Sequence, residues 1–272
     1  MFKNILKSVS WFSFYLFISF VGFGCGAAIL SAIQGMNGKM ESALPLDEFN
    51  EISTVLGLGC IAILGIIAFC LYKVIRKHPF DIKRIEFKKS ILSIGIGFVF
   101  NAALTLLLAI ISTSLPEKLV EDLKDSTHSV MEASLPLWII IAITGVLVPI
   151  FEEMIFRYGI HGTLARSNVV FAYIISSLVF GVMHGNVIQG VYTVIFGLIC
   201  AFLFTKGENL WYGIFAHISL NTSSVIMGEF KEKSAWILLG IFIVGLVFII
   251  ATRKELSSMF KKKEKTTIEI VL

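Results

Sequence analysis

Three short patterns in the second half of the chain bring together groups able to activate water and to hold an oxyanion. Glu152 and Glu153 stand side by side, followed by Met154, Ile155, Phe156 and Arg157. On a helix, Glu153 and Arg157 are four residues apart with the acid N-terminal, the better order for an ion pair. Glu152 is turned about 100° away and has no such partner on its own helix. The two carboxylates therefore divide into one held ionised by Arg157 and one free to act as a general base on water. A charged helix end at the membrane interface is the plainer alternative. Phe180 and His184 repeat the four-residue spacing, so the ring can support an imidazole, although a single histidine ending a span also suits an interface. His217 and Asn221 share a face in the same way. They are the donors suited to a developing oxyanion, or simply polar groups that join helices by hydrogen bonds. Singly these patterns are weak. Together they supply a base, a second imidazole and an oxyanion pair on three separate helices, which is a complete hydrolytic site.

The elements that must position these groups are read from the apolar residues. The chain has 272 residues, 56% hydrophobic and 15% charged, with mean hydropathy +0.86. A soluble domain is about 45–50% apolar and about 25% charged, so lipid must be the solvent for most of this surface. Apolar runs of about 20 residues, the length that crosses about 30 Å of hydrocarbon, are punctuated by short charged clusters. The spans fall near Trp11–Ile33, Ile52–Val74, Ser90–Ser112, Pro136–Arg157, Val169–His184, Ile188–Thr205, Leu210–Met227 and Ala235–Thr252. The expectation is an all-α polytopic transmembrane bundle of about eight helices, multi-pass in the cell membrane. The run Trp11–Ile33 is too long for a signal peptide and is kept as the first span. The segment Lys73–Lys89 and the tail with Arg253, Lys254 and Lys261–Lys265 are rich in cations, so both face the cytoplasm by the positive-inside rule, as do both termini. The net charge of +4 marks topology rather than nucleic acid, because the cations flank apolar runs. Cys25, Cys60, Cys70 and Cys200 lie inside apolar runs and read as small buried hydrophobes. No repeat or linker divides the bundle. By role, residues 1–135 form scaffold helices, 136–228 a catalytic core, and 229–272 the last span with its basic tail.

The order Glu152-Glu153-x-x-x-Arg157, Phe180-x-x-x-His184 and His217-x-x-x-Asn221 on successive apolar helices resembles the CPBP family of intramembrane proteases, also called the Abi or CAAX-protease-like family. The resemblance covers about Pro136–Met227, with no departure in any of the three motifs. It implies peptide-bond hydrolysis in the membrane, with Glu152 and His184 activating water and His217 and Asn221 forming the oxyanion hole. Glu153, Arg157 and Phe180 would support them. The substrate would be a membrane-associated peptide or protein, and the resemblance suggests bacteriocin processing or self-immunity as the setting. Family members are commonly labelled metalloproteases, and Glu152, His184 and His217 are ligand types used by catalytic zinc. The zincin pattern His-Glu-x-x-His is missing, however, and a glutamate-activated water needs no metal, so metal-independent chemistry is favoured over zinc.

Two other functions compete. A non-catalytic immunity or receptor-binding protein would keep the bundle and use its pocket for recognition. A proton-coupled transporter would also place Glu, Arg and His inside the membrane. Depth poses a further question, since Glu152 falls about 8 Å from the end of a helix stopping at Arg157, against about 22 Å for His184 and about 10 Å for His217. The expectation is that the fourth helix runs on through Tyr158–Arg166 and bends at Pro149. His78, His128 and His161 are expected to be solvated or interfacial.

Overall fold

In the computed structural model, which describes residues 1–36, 44–75, 84–114, 116, 118, 134–230 and 234–261, the described chain is all-helical. The helices are α1 (Phe2–Met36), α2 (Leu46–Ile75), α3 (Phe87–Ser112), α4 (Leu137–Ala165), α5 (Val169–Val182), α6 (Val187–Gly207), α7 (Leu210–Glu229), α8 (Ser234–Ala251) and the short α9 (Arg253–Lys261). The first eight coincide with the eight apolar runs. Helices α1, α2, α3, α4 and α6 are each long and apolar enough to cross a membrane, and α8 with α9, bent by 62° at their junction, adds a sixth candidate. Helix α5 is shorter, and α7 is interrupted by polar residues. The chain is a multi-pass membrane protein.

Helix α4 continues to Ala165, as the depth argument requires. Its irregularity takes the form of two π-helical stretches, Ile141–Leu147 and Met154–His161, flanking the α-helical turn Val148–Glu153 that contains Pro149. The cause is local. Pro149 has no N–H, so the carbonyl of Gly145 loses its i+4 donor. The N–H of Val148 bonds back to Ile143 rather than Thr144. Two adjacent carbonyls in the apolar interior are thereby left for partners on another helix.

Two apolar clusters flank the centre. Phe151, Ile155, Phe156 and Ile160 of α4 pack with Ile61 of α2, Ile18 of α1 and Phe180 of α5. Phe196, Cys200 and Leu203 of α6 pack with Leu92 of α3, Tyr212 and Ala216 of α7, and Met259 of α9. Polar contacts tie the remaining seams. Asn101 donates to Ser223 Oγ at 2.7 Å and accepts from Ser224 Oγ at 2.9 Å, while Ser219 Oγ reaches the carbonyl of Ile94 at 3.1 Å. Such hydrogen bonds replace the hydrophobic drive that helices in lipid lack.

Antiparallel packing gathers the cations at one end. Asn4 of α1 bonds Ser167 beyond the end of α4, Lys73 at the end of α2 bonds Tyr158, and Thr205 near the end of α6 bonds His161. Lys7, Lys73, Arg166 and Lys206 therefore lie at the same end of the bundle. Asp47, Glu48 and Glu229 belong to the opposite helix ends.

Candidate active site

Neighbouring carboxylates on α4 have opposite surroundings. Glu153 is fully buried, with Oε2 3.3 Å from Arg157 Nε one turn along, and Arg157 is fully buried too. The guanidinium lies over the Phe180 ring, 4.5 Å from its centroid. A buried ion pair of this kind is tolerable only because each charge has a partner, and the aromatic face adds a cation–π contact. The second oxygen of Glu153 reaches across to α7, where Oε1 is 3.0 Å from His217 Nδ1. A carboxylate can only accept there, so Nδ1 carries the proton and the Nε2 edge is directed away from Glu153. That edge lies 3.7 Å from Glu152 Oε2. Glu152, about 100° round the helix, is 12% exposed.

His184 sits just past the end of α5. Its Nδ1 donates to the carbonyl of Phe180 at 2.8 Å, filling one of the acceptors that a helix C-terminus leaves unpaired. This fixes the tautomer and leaves Nε2 as the lone-pair edge. Gly185 follows at φ +70°, a left-handed conformation that suits glycine and turns the chain towards α6. The Phe180 ring is edge-on to His184 at 4.9 Å and to His217 at 5.7 Å, and Phe196 meets the other side of His217 at 5.5 Å.

Asn221, one turn beyond His217, donates from Nδ2 to the carbonyl of Thr144 at 3.0 Å, and Thr222 Oγ1 lies 3.5 Å from the carbonyl of Gly145. These are the two carbonyls released by the break in α4. Asn221 is therefore held by α4 through one amide hydrogen, and the other remains for a ligand. Sequence reasoning did not anticipate Thr144 or Thr222 as partners. The signal was Pro149, four residues beyond Gly145.

Glu152, His184, His217 and Asn221 all line one cavity of about 470 Å³, whose remaining wall is mostly aromatic and aliphatic. Glu153 and Arg157 stand behind that wall. Among the described residues no group of three His, Cys, Asp or Glu side chains comes together as a metal-ligand set. The trio Glu152, His184 and His217 does not fit a metal as placed. His161 corrects an expectation. It is fully buried rather than solvated or interfacial, with Nε2 2.9 Å from Thr205 Oγ1 and Nδ1 3.4 Å from Ser176 Oγ. The physical reason is that α5 and α6 pack over this part of α4 and supply Ser176 and Thr205 as its partners. His78 and His128 lie outside the described residues.

Comparison with known proteins bears on the same segment. Residues 134–223 match the family model described as type II CAAX prenyl endopeptidase Rce1-like. A curated relative from Bacillus subtilis (strain 168), named "Putative membrane peptidase YdiL", is 34% identical over 104 residues, which is 38% of this chain and 43% of the relative. The alignment thus spans less than half of either protein. No solved structure matches the chain.

Proposed function

We propose, on the similarity of residues 134–223 to the CPBP, or CAAX-protease-like, family, that this chain is an intramembrane endopeptidase cleaving a membrane-associated peptide or protein. The observation that carries the proposal is the convergence of Glu152, His184, His217 and Asn221 on one cavity from α4, the end of α5, and α7.

In this reading a water enters beside Glu152, and the Nε2 edge of His184 helps to orient it. Glu152 takes a proton from the water as its oxygen attacks the scissile carbonyl. The negative charge that develops on the carbonyl oxygen is met by the free amide hydrogen of Asn221 and by the Nε2 side of His217 as an imidazolium. The Nδ1–H of that ring stays on Glu153. Collapse of the tetrahedral intermediate breaks the C–N bond, and Glu152 returns its proton to the leaving amine. A carboxylic acid and an amine result, and the acid then gives its proton to solvent or to the free amine. Arg157 pairs with Glu153, which in turn keeps His217 in register. The chemistry needs no metal, and 1,10-phenanthroline is expected to leave cleavage unchanged.

Bacteriocin processing or self-immunity is the finer proposal, and it rests on family resemblance alone. The competing readings differ in what Glu152 does. Membrane peptides from cells expressing wild type or Glu152→Gln at matched levels are compared for new termini. Termini confined to wild type are expected for a protease. Identical maps with the biological effect retained would favour a binding protein, and a change confined to proton-coupled flux would favour a transporter.

A further inference from the structure

At the cation-rich end of the bundle, outside the catalytic cavity, a second recess of about 520 Å³ opens between α1, α2 and α4. Its polar lining consists of Lys7, Ser10, Tyr72, Tyr158, Thr163 and Arg166, which are two permanent cations and four hydroxyls. Among the described residues no carboxylate lines it. Behind the wall stands a third cation, Lys73, which is 3% exposed and donates to the Tyr158 hydroxyl while its Nζ lies 4.6 Å from the centre of that ring. Since the Tyr158 oxygen accepts from Lys73, the phenolic hydrogen is left to donate elsewhere. Among the described residues, a recess so lined offers positive charge and hydroxyl donors, which is the chemistry of a phosphate site.

The other side of the recess is aromatic. Trp11 meets Phe69 at 5.8 Å, Tyr72 at 5.3 Å and Tyr158 at 6.5 Å between ring centres. Gly159 permits this approach, because a Cβ there would stand 2.7 Å from the indole. Trp and Tyr clustered beside cations at a helix end are the groups that sit at lipid headgroup depth. Val9 of α1 and Leu71 and Val74 of α2, close in sequence to the lining residues Ser10 and Tyr72, are apolar and more than half exposed.

We propose that this recess binds the headgroup phosphate of an anionic phospholipid, with Lys7 and Arg166 as its direct cations and Lys73 acting through Tyr158. Basic pockets between transmembrane helices on the cytoplasmic side are suited to such headgroups. A free phosphate would use the same donors but would leave the aromatic wall and the exposed apolar side chains without a role.

The test is native mass spectrometry of the purified full chain, released from detergent with phosphatidylglycerol or phosphatidylcholine added, with and without millimolar inorganic phosphate. Wild type is expected to retain phosphatidylglycerol at least tenfold better than phosphatidylcholine, and inorganic phosphate should not displace it. Lys7 and Arg166 are exposed, so Lys7→Gln with Arg166→Gln should keep its elution profile. It should lose on the order of fivefold in retention per cation. If the pair together disturbs folding, each single variant is expected to show its own fivefold loss. Lys254→Gln with Lys261→Gln, on α9 outside the recess, should change nothing. Equal retention of the two lipids, an equal loss in the α9 pair, or displacement by inorganic phosphate would each overturn the proposal.

Discussion

At the residue scale, Glu152 and Glu153 show how one step in sequence separates a cavity-lining carboxylate from a buried, paired one. Glu153 is fully buried against Arg157 and His217, so Glu153→Gln leaves a guanidinium in the apolar interior without its counter-charge. A loss of about 3–5 kcal/mol is expected, read as a lowered melting temperature of the purified protein in detergent. Glu152 faces the cavity, and Glu152→Gln should cost no more than about 1 kcal/mol while abolishing cleavage. Asn221→Ala should do both kinds of damage. It unpairs the carbonyl of Thr144, costing about 1–3 kcal/mol, and removes an oxyanion donor, lowering turnover by about 10²–10³. Asn221→Asp, which loses the donor, should not restore turnover. Melting and turnover measured on the same preparation separate the two effects. The four-residue spacings made each helix's own pairs legible in the sequence. The contacts across helices were not legible, because nothing in Glu153 or His217 alone says that groups 64 positions apart in sequence come to 3.0 Å.

At the scale of elements, the site depends on an imperfect α4 and a polar α7. Pro149 was visible as a point of irregularity, and the depth argument correctly carried the helix to Ala165. The π-helical stretches were not readable, since they reflect where freed carbonyls find partners rather than any propensity of Ile141–Leu147. The burial of His161 was not readable even with the helix carried past it, because its partners Thr205 and Ser176 come from two other helices. Helix α7 is held close to α3, where a Cβ on Gly97 would stand 2.1 Å from Ser219 Oγ and 2.2 Å from the carbonyl oxygen of Ala216. Gly97→Ala must push α7 away, and with it His217. A destabilisation of about 1–3 kcal/mol is expected, together with lower turnover. Gly24→Ala, with open space around its Cβ, is the matched control and should be neutral in both measurements.

At the scale of the whole molecule, composition alone marked the chain as a membrane bundle, and eight apolar runs matched eight helices. The recess between Lys7 and Arg166 was invisible to that reading, because the two cations are far apart in sequence and meet only through the antiparallel packing of α1 and α4. The gathering of cations at one end supports a cytoplasmic placement of that end. With the native cysteines replaced, Lys254→Cys should react with a membrane-impermeant maleimide only after the cytoplasmic face is opened, whereas Asp47→Cys should react in intact cells. The reverse pattern would invert the topology.

The central claim is that Glu152 directs water onto a peptide bond. Membranes containing wild type or Glu152→Gln at matched protein levels are incubated in ¹⁸O-labelled water, and the peptides are sequenced by mass. New C-terminal carboxylates carrying ¹⁸O should arise with wild type and be missing with Glu152→Gln. Labelled termini formed equally by both proteins, or by neither, would contradict the account.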